Sequence, residues 1–78
     1  MALVEKIEID SKDRQSIHKP VECRAFVINE AGEKYIQIDT YGSEGRQEVG
    51  KASQTIQFSR EAAKQLKTII ENTYSDID

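Results

Sequence analysis

The sequence predicts an α+β fold: a curved antiparallel four-stranded sheet followed by one C-terminal helix, in the order ββββα. Three observations predict it. Tyr35 to Tyr41 alternates strictly, with Ile36, Ile38 and Thr40 on one side and Tyr35, Gln37, Asp39 and Tyr41 on the other. The preceding run, Val21 to Asn29, is rich in the β-branched and aromatic residues that strands favour. Finally, SQTIQF runs directly into SREAAKQLKTII, where the apolar spacing changes from two residues to three and four.

In chain order, LVEKIEID (3–10) alternates after its first residue and predicts a half-buried strand, with Leu3, Ile7 and Ile9 sharing one face with Glu5. SKDRQSIHKP has no apolar period and ends in Pro20, which predicts a solvated connection in which Ile17 packs locally. Across Val21–Asn29, Cys23, Ala25 and Val27 alternate with Arg24, Phe26 and Ile28. Both faces are partly apolar, which predicts a central strand or one whose second face is covered by a partner.

Glu30-Ala31-Gly32-Glu33 supplies the hairpin loop, Gly32 being able to take positive φ. The isoleucine face of the next strand is expected to meet the helix. Gly42, Gly45 and Gly50 punctuate a hydrophilic loop holding Ser43, Glu44, Arg46, Gln47 and Glu48. Ile56 and Phe58 then resume the inward alternation, with Thr55 and Gln57 outward.

Ser59 is placed to cap the helix, and Glu61 follows where the positive helix end favours an acid. Ala62, Ala63, Leu66, Ile69, Ile70 and Tyr74 form the apolar stripe, opposite Arg60, Lys64, Lys67 and Glu71. Residues 75–78 form a fraying tail. No internal repeat is visible, and residues 1–78 read as a single domain.

A chain of 78 residues buries only roughly 60–65% of its unfolded surface, too little for a large catalytic cleft. Cys23 is the only cysteine and His18 the only histidine, so neither an internal disulfide nor an ordinary zinc site can staple the fold. Self-association remains, and a homodimer is expected. No secretory leader and no long apolar run is present, which predicts a soluble cytoplasmic protein without a membrane partner. The net charge of −3 lies between residues 21 and 50. There Arg24, Lys34 and Arg46 stand against Glu22, Glu30, Glu33, Asp39, Glu44 and Glu48.

VINEAGEKYIQIDTY, a glycine-turn hairpin ending in a tyrosine, is followed by Gly50-Lys51 and by TIQFSREAAKQLKTII as strand, cap and helix. Over about residues 21 to 74 this order resembles the DNA-binding domain of the transcriptional positive cofactor four family, small dimeric proteins that bind single-stranded DNA. The resemblance implies a dimer whose curved sheet takes up a nucleic-acid backbone and bases. Where that family carries an arginine near the end of its third strand and an aromatic beyond it, this chain has Asp39 and Gly42.

Tyr35, Tyr41 and Gln37, joined by Arg24 and Phe26 if the hairpin register permits, are expected to line one sheet face suited to stacking unpaired bases. Lys34, Arg46 and Lys51 are the expected phosphate contacts. The first functional expectation is therefore a small non-enzymatic single-stranded nucleic-acid-binding protein, an accessory of transcription or DNA metabolism. The alternative is an acidic protein-interaction module that binds or occludes a basic partner, such as a DNA-binding protein. Catalysis is not expected. His18 lacks a carboxylate or serine at triad spacing, Cys23 reads as a small strand hydrophobe, and Asp39, Glu44 and Glu48 lack calcium-loop spacing. No cofactor or metal is expected.

Overall fold

The structure, a computed structural model, describes residues 1–42 and 52–76. Four strands, β1 (Ala2–Val4), β2 (Glu22–Glu30), β3 (Glu33–Tyr41) and β4 (Gln54–Phe58), precede the helix α1 (Arg60–Thr73). They form one sheet in the order β1-β4-β3-β2, with a single helix after it, so the α+β class and the element order agree with the sequence.

Two expectations that concern β1 are corrected. The sheet is mixed rather than wholly antiparallel, because β1 pairs with β4 in parallel, Val4 opposite Phe58. The connection between β1 and β2 is long enough to cross from one edge of the sheet to the other, as parallel neighbours require. The first strand also ends at Val4 rather than Asp10. Beyond it, the chain turns to the helix: the Ile7 N–H donates to Gln65 Oε1 at 2.8 Å, and Ile9 is 77% exposed. A side-chain amide thus replaces the strand partner that the alternation implied.

The hairpin β2–β3 follows its sequence closely. Ala31 and Gly32 carry φ of 51° and 81°, the pair of positive values that a two-residue type I′ turn requires. The turn sets Glu30 opposite Glu33 and fixes the register down to Glu22 opposite Tyr41. β4 then pairs antiparallel with β3, Ile56 opposite Ile38 and Phe58 opposite Ile36. However, β2 is an edge strand, not a central one. Its doubly apolar pattern has no covering element among the described residues, and Val27 stands 62% exposed.

Since partners in register share a face, Val4, Phe58, Ile56, Ile36, Ile38, Val27 and Ala25 lie on one side of the sheet. The helix rests there, chiefly on β3 and β4. It starts as the sequence predicts: the Ser59 hydroxyl accepts from the Ala62 N–H at 3.2 Å, while the Ser59 N–H donates to the Val4 carbonyl at 3.0 Å. One residue therefore caps α1 and ties it to β1. Ala62 is fully buried and is the only buried hydrophobic residue described. Ile70 is 40% exposed, so the far side of the helical stripe is only partly covered by the described residues. No helix among the described residues is long and apolar enough to cross a membrane.

Candidate functional site

The face of the sheet opposite the helix carries the side chains that β2 and β3 direct away from the isoleucines. The register places Arg24 beside Asp39, Phe26 beside Gln37 and Ile28 beside Tyr35, with Glu22 beside Tyr41. The condition attached to Arg24 and Phe26 is therefore met: they share a face with Tyr35, Gln37 and Tyr41. Phe26 is 41% exposed, and the tyrosines are half-buried by their neighbours. The Arg24 guanidinium lies over the Tyr41 ring, 5.3 Å from its centroid, within the range of a cation–π contact.

A polar ladder runs beside the aromatics. Gln57 Nε2 donates to Gln37 Oε1 at 2.9 Å, Gln37 Nε2 donates to Asp39 Oδ1 at 3.1 Å, and the Thr55 hydroxyl donates to the same oxygen at 2.9 Å. Gln37 thus has both ends of its amide engaged. Asp39 is held upright in the middle of the face by two donors. The sequence pointed to Gln37 and Tyr35 by alternation, but Thr55 and Gln57 joined the site only through the β3–β4 pairing.

Of the expected phosphate contacts, Lys34 is not on this face. Lys34 alternates with Tyr35 and shares the helix side with Ile36, where it borders a groove lined also by Val27, Phe58, Ala63, Lys64 and Lys67. The sheet period itself puts it there. Arg46 and Lys51 lie outside the described residues.

The charge on the aromatic face is therefore one-sided. Among the described residues of the hairpin, Glu22, Glu30, Glu33 and Asp39 project to it by alternation, against Arg24. The described cations of the groove, Lys34, Arg60, Lys64 and Lys67, lie on the other side of the sheet. Cys23 is exposed and unpaired, on the helix side. No cluster of three or more metal-ligating side chains occurs among the described residues. The groups this face presents are aromatic area, fixed amide and hydroxyl dipoles and carboxylates. Compared with protein-family models, curated proteins and solved structures, the chain finds no match.

Proposed function

We propose that this protein is a homodimeric, non-enzymatic binding module whose acidic aromatic face receives a basic protein surface. One observation carries this reading: on the aromatic face Asp39 lies between Gln37 and Tyr41 along β3, Glu22 stands opposite Tyr41, Glu30 and Glu33 close the hairpin end, and the one guanidinium described on that face, that of Arg24, is laid on Tyr41. A phosphate chain approaching that face meets four carboxylates. An arginine- or lysine-bearing surface meets complementary charge and aromatic rings over which a cation can lie. Such a module could occlude a DNA-binding protein by competing for its basic surface.

The dimer part of the proposal rests on apolar surface that the described residues leave open. Val27 on β2 is 62% exposed and Phe26 41%, with no covering element among the described residues. Apolar area of this kind on an edge strand is what a second copy would bury.

Single-stranded nucleic-acid binding is the second reading, and the row Phe26, Tyr35, Tyr41 favours it, because base–aromatic stacking tolerates any sequence. Fluorescence anisotropy separates the two. A labelled lysine- and arginine-rich peptide and a labelled oligodeoxythymidine are each titrated with protein at about 50 mM salt, where phosphate contacts are strongest. Saturation with the peptide alone supports the basic-partner reading. Saturation with the oligonucleotide alone replaces it by the second.

A further inference from the structure

The edge of the sheet at β2 carries the next inference. A strand of nine residues, apolar on both sides and flanked by no described element, is the kind of edge that a second strand completes. The type I′ turn determines which backbone groups are open. Its hydrogen bond makes Glu30 and Glu33 a bonded pair, and bonded pairs then alternate down the hairpin. Ile28, Phe26, Arg24 and Glu22 therefore point their N–H and C=O groups at β3, while Asn29, Val27, Ala25 and Cys23 point theirs outward. A hydrogen bond elsewhere agrees. Thr40, the partner of Cys23, turns its carbonyl towards β4 and accepts from the Ser53 N–H at 2.7 Å.

We propose that β2 pairs antiparallel with β2 of a second copy about a two-fold axis at Val27, joining the two sheets into one. This inference rests on the homodimer reading above and names its surface. The faces of the two sheets match only if residue numbers in opposed pairs sum to an even value, because strands alternate in twos. An axis at Val27 bonds Val27 to its own copy and Ala25 to Asn29, using the outward groups on both chains. It also sets Arg24 opposite Glu30 of the second copy, twice by symmetry, and Phe26 opposite Ile28. An axis at Phe26 would instead oppose Glu22 to Glu30 twice, which like charges disfavour. Charge complementarity thus selects both the occupant and the register. Arg24 is exposed, so its guanidinium is free to swing from the Tyr41 ring to that carboxylate.

The test uses the full chain. Sedimentation across a concentration series measures dimerisation, and amide hydrogen exchange locates it. The pairing predicts that the Ala25, Val27 and Asn29 amides are protected in the dimer and lose protection on dilution. Arg24→Glu and Glu30→Arg should each weaken the dimer about tenfold by creating two like-charge pairs. The double variant should recover it, a rescue that only this register gives. Circular dichroism checks that each variant keeps its fold. A dimer whose Ala25 and Val27 amides exchange freely, or a double variant as weak as either single one, overturns this pairing and leaves the homodimer reading standing. A protein that is monomeric at every concentration overturns both.

Discussion

The Thr55 hydroxyl donates to Asp39 Oδ1 at 2.9 Å across the β3–β4 register, and the same oxygen accepts from Gln37. A carboxylate so held is part of the sheet as well as part of its surface. Replacing it affects stability and recognition together. Asp39→Ala removes the acceptor for two half-buried donors and is expected to destabilise the fold by about 0.5–1.5 kcal/mol. Asp39→Asn retains an acceptor and should cost less while removing the charge, so comparing the two by urea denaturation and by peptide binding separates the roles.

Ser59 joins three elements: its hydroxyl caps α1 at Ala62, its N–H reaches Val4, and it directly follows Phe58 of β4. Ser59→Ala should lose about 1 kcal/mol, the usual worth of an N-cap. Ser59→Asp should recover most of it, since a carboxylate also caps and complements the positive helix end. Thermal denaturation followed at a helical wavelength reads both.

The hairpin turn holds a correctable strain. Ala31 sits at φ 51°, a left-handed conformation that disfavours a Cβ, followed by Gly32 at φ 81°. Ala31→Asn, which gives the preferred Asn-Gly pair, should stabilise the protein by about 0.5–1 kcal/mol. Gly32→Ala should destabilise it by about 1 kcal/mol. Nothing lies within 4 Å of the added Cβ, so the effect would come from backbone conformation alone. Melting temperatures moving in opposite directions would bear this out.

Gln65 holds the segment after β1 through the Ile7 N–H, beside the Ser59 hydroxyl that donates to the Glu5 carbonyl. Gln65→Ala should leave the helix and hairpin intact and speed exchange of the Ile7 amide, since that amide has no described partner besides Gln65 Oε1. Residue-resolved hydrogen exchange measures it. An unchanged Ile7 rate in the variant would count against this tether.

How far the sequence reveals this structure depends on how local each cause is. The alternation of β2 and β3, the Ala31-Gly32 turn and the Ser59 cap are short-range effects, and all are visible in neighbouring residues. The placement of β1 is not. Three residues carry too little period to specify a partner, and its parallel pairing depends on Phe58, far along the chain. The alternation from Glu5 to Ile9 was misleading for a related reason: Gln65, a helix residue, supplies the partner.

The site divides in the same way. Tyr35, Gln37 and Tyr41 share a face by simple counting, and Arg24 and Phe26 join them through a register that the turn dictates. Lys34 fails the same count, being one residue out of phase. One of the two donors that hold Asp39 among the aromatics, Gln37, is its neighbour on β3, while the other, Thr55, belongs to a strand beyond the long loop.

Recognition of a basic protein surface by the aromatic face around Asp39 is tested by a two-ligand anisotropy titration of the wild type and Asp39→Asn. Saturable, salt-sensitive binding of the lysine- and arginine-rich peptide is expected. Affinity should fall in Asp39→Asn by about threefold to tenfold, as expected when one of several cooperating charges is removed, while oligodeoxythymidine does not bind. Oligonucleotide binding that tightens in Asp39→Asn, with no binding of the peptide to either protein, would contradict it.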